Sequence, residues 1–255
     1  LKKKKIILDI DDWESQYVLD NYLSLNPFDI AKFCLVDFYM PESYFSKRIL
    51  EKLINYSDHL IVDALCLQKK FGGTYIPSGA NTDLFDPEKF NGKEVREKYN
   101  IEKDDFLISF IGTPRKHKGI LELITAFNEA RKVNEKIKLM IVGASNDNQF
   151  ANELRKRDGI IVESYQPHNK IPNYVAAADS ICIPLKNNPS AMFQMPYKIY
   201  EMMSMEKAII ATGVADIPLA LENCGKVIEP NNVEQLKQGI LEYADNKRLR
   251  REHGR

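Results

Sequence analysis

No apolar run in this 255-residue chain approaches the roughly 20 residues that a membrane span needs. Any membrane role expected of it is therefore a peripheral contact. Cysteine is scarce: Cys34, Cys66, Cys182 and Cys224 lie far apart, in no C-x-x-C or Cys/His cluster. Such spacing argues against a zinc site or a disulfide framework and for a reducing, cytoplasmic setting. Neither charge is in excess, since 36 Lys and Arg balance 36 Asp and Glu. A chain of zero net charge has no general attraction for a polyanion, so nucleic acid is not an expected partner. No G-x-G-x-x-G follows any strand-like run, which weighs against dinucleotide-dependent oxidoreduction. The cations Lys2 to Lys5 precede no apolar h-region and do not read as a signal peptide.

What is present suits an α/β protein. With 44% hydrophobic and 28% charged residues, the chain can build one large or two modest domains. Strands are expected at 106–111, 137–142, 160–163, 180–185, 208–212 and 226–228, with helices between them that include 148–157, 171–178 and 196–205, and 233–244 after the last strand. Short buried strands separated by amphipathic helices predict a parallel sheet covered on both faces, in a near-complete Rossmann-like domain over 103–255. Residues 1–85 also alternate, with helices at 44–56 and 65–71 and strands at 59–63 and 74–77, but are too few for a second domain of the usual roughly 100 to 150 residues. They read as the second half of one, joined through a polar linker at 86–102. The chain starts at Leu1 and stops at Arg255 within a charged helical stretch, and is expected to be a fragment.

Two segments carry chemistry. In Ala191 to Met205, Pro196 suits the first position of a helix, where its missing N–H leaves no bond unmade. Free amides and the positive dipole end at such a terminus attract an anion. Glu201, five residues on, would sit roughly 7 Å further along the axis, a separation that fits a phosphate at the helix mouth and a sugar diol at the carboxylate. In Phe106 to Gly119, a continuous apolar strand ends at Gly112 and Pro114, and Arg115, Lys116 and Lys118 cluster where open α/β sheets bind ligands. An Arg fork and compact Lys charges suit a diphosphate whose charge grows as it leaves. The bland alternatives are an amphipathic helix with a solvated Lys198/Glu201 pair and a solvated basic loop.

The stretch Pro196-Tyr-Lys198-Ile-Tyr-Glu201-Met-Met, followed by Lys207-Ala-Ile-Ile-Ala-Thr212, resembles the donor-binding motif of the family 4 retaining glycosyltransferases of the GT-B fold. The run from Val62 through Ile76-Pro77-Ser-Gly79-Ala-Asn81 to Phe85-Asp-Pro87 resembles that family's crossing between domains. The resemblance implies a metal-independent, cofactor-free transfer from a nucleoside diphosphate sugar to a glycan, lipid or small-molecule acceptor. It implies that Arg115, Lys118, Met195 and Pro196 hold the diphosphate and that Glu201 holds the ribose. Gln194, Lys198, Tyr165 and Gln166 are its candidates for contacts to donor sugar or base, and Asp11 and Asp12 for the acceptor side. The sequence departs from the pattern at Phe193, where a further glutamate is usual, and at Glu206, where glycine is usual. A tyrosine ending a strand, as Tyr165 does, is more often partly buried packing than a base-stacking ring, and no catalytic group is assigned.

Two alternatives are carried. Phe193 admits a nucleotide-sugar-binding module without transferase activity. Lys5-Ile-Ile-Leu-Asp9-Ile-Asp11-Asp12 resembles the first motif of haloacid-dehalogenase-type phosphatases, with Asp9 and Asp11 as the reacting pair, although Trp13 departs from it. The aspartates could also cap the helix that begins after Trp13.

Overall fold

The computed structural model describes residues 4–23, 40–115, 118–145, 149–189 and 191–255. Lys116, His117 and Cys34 lie outside them. The chain divides into two compact units, Leu1–Ser78 with Asn187–Pro196, and Gly79–Lys186 with Tyr197–Arg255.

The first unit holds a three-stranded parallel sheet in the order β1 (Ile7–Ile10), β2 (His59–Val62), β3 (Thr74–Tyr75). Helices α1 (Glu14–Leu23) and α2 (Tyr44–Leu53) pack on one another, and α3 (Leu65–Phe71) joins β2 to β3. Ser43 starts α2 by accepting from the Ser46 amide, filling one of the donors a helix start leaves open. The helix expected over 44–56 turns 3-10 at Ile54–Tyr56. A cavity of about 480 Å³ lies between β1 and α2, lined by Leu8 and Ile10 from the strand, Ile6 just before it, and Leu50 and Leu53 from the helix.

The second unit is built on six parallel strands in the order β6-β5-β4-β7-β8-β9: β4 Phe106–Ile111, β5 Ile137–Ala144, β6 Ile160–Ser164, β7 Ser180–Ile183, β8 Ala208–Thr212 and β9 Gly225–Ile228. Every residue of β4, β7 and β8 is buried, as an unbroken apolar run predicts for a strand covered on both faces. On one face Phe106, Ile108 and Phe110 meet Ile137, Leu139 and Ile141 at a spacing of two. Helices α5 (Ile120–Val133) and α9 (Val233–Asp245) close that side through Leu123, Phe127, Ile240 and Tyr243. The strand order reverses at β4, which has β5 on one side and β7 on the other, and it is at such a reversal that open parallel sheets form a crevice at the carboxyl ends.

The stretch 86–102 is not featureless. It carries α4 (Lys93–Lys98), whose Arg96 donates to the Ala177 carbonyl at 2.9 Å, Asp179 at 3.2 Å, the Glu102 carbonyl at 2.7 Å and the Asp105 carbonyl at 2.8 Å. Its polar composition is spent fastening α4 to the end of α7 (Ile171–Ala177).

Several boundaries differ from the sequence expectation, and strand β3 is Thr74–Tyr75 where 74–77 was expected. The helix expected over 148–157 is α6, Gln149–Leu154. Strand β7 stops at Ile183, before Pro184, which has no amide to give to a ladder. The helix expected to open at Pro196 is α8, Lys198–Ser204, with Tyr197 as its cap. The first turn closes with the Tyr200 amide on the Tyr197 carbonyl, so Pro196 stands just outside it. Beyond α8, Glu206 has φ +51°, a left-handed conformation that explains why glycine is favoured in such a place.

Candidate functional site

In the second unit the site grows from the carboxyl end of β4. Gly112 follows the strand with φ +131° and donates to the Val142 carbonyl at 2.8 Å, keeping it in the sheet. Without a side chain there, the Lys198 ammonium reaches the Ile111 carbonyl at 2.6 Å, and a Cβ on Gly112 would stand 2.5 Å from that ammonium. Further along, the Lys118 amide donates to the Arg115 carbonyl at 2.9 Å, and Gly119 follows. Gly119 has φ +69° and lies so close to the Pro184 carbonyl that a Cβ would overlap it, at 1.7 Å. The Lys118-Gly119 pair is thereby fixed against the end of β7, at the reversal of strand order.

Positive charge gathers at this corner. Burial, and then the neighbouring Arg115 charge, lowers the pKa of Lys118. Burial, and then the charge of Lys118, pushes Lys198 down to about 8, with Glu201 opposing. Cations brought together this way against their own repulsion, with depressed pKa values, are stabilised when an anion joins them. Glu201 lies three residues beyond Lys198, on the same side of α8. One of its oxygens, Oε1, sits 2.7 Å from the His168 Nε2, and the His168 ring lies 5.3 Å from that of Phe85.

The loop after β6 begins with Tyr165, which is 75% exposed. Its ring is therefore not packed at the strand end, the more ordinary of the two expectations. Gln166 beside it is partly exposed. Glu163, just before, is buried and structural, accepting from Lys98 at 2.5 Å, from Tyr174 at 3.1 Å and from Tyr99. Burial would raise this carboxyl, but its hydrogen bonds from Lys98 and Tyr99 hold it at about 2. Sequence reasoning missed Glu163 and passed over His168. A carboxylate in the apolar run Ile160-Ile-Val-Glu163 was a usable signal, because a charge in a buried strand needs partners.

In the first unit, Asp11 and Asp12 follow β1 and Asp63 follows β2, all at the carboxyl end of that sheet. Burial, then the charge of Asp11, raises Asp12 to about 6, with a hydrogen bond to Gln194 opposing and Asp63 adding to the rise. Burial likewise raises Asp63 to about 6, against a 3.3 Å bond from Ser78. Phe193 has a clear packing role: its ring meets Trp13 edge-on with centroids 4.7 Å apart, and the Lys70 ammonium lies 3.4 Å over the Trp13 ring. The Trp13 indole donates to Glu51 at 2.9 Å. Met195, buried, and Pro196 belong to this same unit. Among the described residues no three of His, Cys, Asp and Glu converge as a metal site would require, and no helix is long and apolar enough to cross a membrane.

Two units with parallel sheets, one doubly wound with a basic turn at its reversal, define an α/β protein of the GT-B type, and solved enzymes of that type cover the whole chain. Residues 91–255, well over half of the chain, match the family described as "Glycosyl transferases group 1", and the chain belongs to that family. TuaC of Bacillus subtilis, named for teichuronic acid biosynthesis, is 24% identical over 174 residues, which make up 68% of this chain and 42% of that protein. HepE of Anabaena, solved in complex with UDP-glucose, has a TM-score of 0.71 at 15% identity, over 98% of this chain and 65% of its own. A glycosyltransferase from Rickettsia africae has a TM-score of 0.66 at 17% identity, over 100% of this chain and 92% of its own.

Proposed function

We propose that this chain supplies the donor site of a retaining glycosyltransferase of the family 4 kind, binding a nucleoside diphosphate sugar and passing the sugar to a glycan, lipid or small-molecule acceptor. The observation that carries the reading is the convergence of Arg115, Lys118 and Lys198 beside β4, with Glu201 one helical turn beyond Lys198. The basic groups suit a diphosphate and gain attraction as charge develops on it during departure, which is stabilisation of the transition state by fixed charges. A metal is not needed for that neutralisation. Glu201 suits the ribose diol, since an ionised carboxylate can accept two hydroxyl protons. HepE, which shares the fold, was solved in complex with UDP-glucose, and that supports a donor of this class.

Asp11 and Asp12 remain the proposed acceptor-side groups. Phe193 does not by itself favour a module without activity, because its ring is used in packing on Trp13. The phosphatase reading of Asp9 and Asp11 gains nothing from the geometry and is set aside.

Calorimetry with UDP and GDP against uridine and guanosine tests the reading. Replacing Arg115 and Lys118 each by Ala should cost about 1.5 to 3 kcal/mol of diphosphate binding, the range for a charged hydrogen bond, and leave the nucleosides little changed. Equal losses for nucleoside and diphosphate would remove the assignment.

A further inference from the structure

We infer that His168 is a positioning residue for Glu201, setting the carboxylate for the ribose and so sharpening selection for a ribonucleotide; this rests on the donor-site reading above. Glu201 lies on a helix of seven residues, and its carboxylate sits at the end of two freely rotating side-chain bonds plus the carboxyl torsion. Left alone it would sample several rotamers, and ordering them on binding costs free energy. His168 removes that freedom. Its Nε2 stands 2.7 Å from Glu201 Oε1, and because an ionised carboxylate only accepts, Nε2 must carry the proton.

The imidazole is itself held. It follows Pro167, whose φ is fixed, and starts the 3-10 turn His168–Lys170. One side of the ring packs on Phe85, a fully buried side chain. The Phe85 carbonyl in turn accepts from Ser204 at 2.6 Å, and Ser204 is the last residue of the helix that carries Glu201. The base-side loop and the ribose-side helix are thus tied together twice, once through His168 and once through Phe85. The His168 side chain remains 60% exposed, too open for a group whose sole purpose is to fill the core, while Glu201 is only 19% exposed. With Oε1 engaged by imidazole, Oε2 and the second lone pair of Oε1 remain to accept from the diol.

The experiment is calorimetric binding of UDP, GDP and their 2′,3′-dideoxy counterparts to the whole 255-residue chain, in wild type, His168→Ala, His168→Gln and Glu201→Gln. Glu201→Gln reports on the donor-site reading by itself. If that variant weakens the ribonucleotide but not the dideoxy analogue, the ribose role of Glu201 stands. His168→Ala should then weaken the tighter ribonucleotide about five- to tenfold, as the cost of ordering one freed side chain on binding implies, with the dideoxy ligand unchanged. His168→Gln, which can still donate to the carboxylate, should restore affinity to within about twofold. Unchanged ribonucleotide binding in His168→Ala, an equal loss for the dideoxy ligand, or no rescue by Gln would overturn the inference while leaving Glu201 in place. A Glu201→Gln variant that weakens both ligands alike, or neither, would overturn both readings together.

Discussion

The ammonium of Lys198 donates to the main-chain carbonyl of Ile111 at 2.6 Å, joining the start of α8 to the last residue of β4. The two lie 87 positions apart, yet this bond brings the two chemistry-bearing segments to one corner of the sheet. It depends on the bare backbone of Gly112.

Gly112→Ala should separate them. The new Cβ would stand 2.5 Å from the Lys198 ammonium, and alanine at φ +131° is strained. A left-handed or similar conformation costs on the order of 1 to 3 kcal/mol in stability. Since Lys198 must also move, diphosphate affinity should fall alongside. A chemical denaturation curve and a UDP or GDP titration check both, and a variant as stable and as tightly binding as wild type would contradict the geometry.

Affinity for nucleoside diphosphate should decline as pH rises through about 8, the value to which burial and Lys118 push Lys198. Binding there should take up a proton, visible as a dependence of calorimetric heat on buffer ionisation. Stability moves the other way. Because the folded pKa lies below the unfolded 10.5, the unfolded chain holds more protons between those values, so the cost of the buried ammonium is full below about 8 and is relieved as pH rises. Lys207, also lowered to about 8 by burial, contributes a similar rise to stability but none to binding. Lys198→Met should therefore weaken the pH dependence of affinity near 8, Lys118 keeping the rest, and should keep part of that of stability.

Glu163→Gln should cost about 1.5 to 3 kcal/mol near neutral pH, because the bonds from Lys98 and Tyr99 lose the charge that strengthens them. The folded pKa of about 2 lies below the ordinary 4.5, so this contribution is present above about 4.5 and lost as pH falls through about 2. Denaturation of wild type and variant across acid pH should show the difference closing in that window. Hydrogen exchange of 93–98 should quicken in the variant, since Lys98 and Tyr99 tie the end of α4 to β6.

Glu206→Gly should stabilise the second unit. A left-handed residue with a Cβ costs roughly 1 to 2 kcal/mol, and glycine gives back roughly 0.5 to 1 through its freer unfolded chain. The ion pair lost with Arg255 spans 3.7 Å between exposed groups and is worth little. A rise in thermal midpoint of a few degrees is expected, with diphosphate binding unchanged.

Most of the second unit was legible in the residues. Continuous apolar runs marked β4, β7 and β8, and Ile120, Leu123, Ile124 and Phe127 stand at i, i+3, i+4 and i+7 along α5, because burial on both faces of a sheet and on one face of a helix leaves different periods in the chain. The basic turn after β4 and the Lys198/Glu201 helix could also be singled out, since charged residues at a strand end or helix start are local features. Period and punctuation are properties of neighbours in sequence, and the chain alone determines them.

Strand order is not such a property. That β7 rather than β6 lies beside β4, placing Lys118-Gly119 against Pro184, follows from which sheet edge each crossover reaches. The Lys198–Ile111, His168–Glu201 and Glu163–Lys98 contacts span 87, 33 and 65 positions, and the closing of each is decided by packing that no short window contains. The same holds for the pKa of Lys198. A lysine's charge is written in the sequence, but the depth at which it is buried and the cation beside it exist only once the sheet has formed.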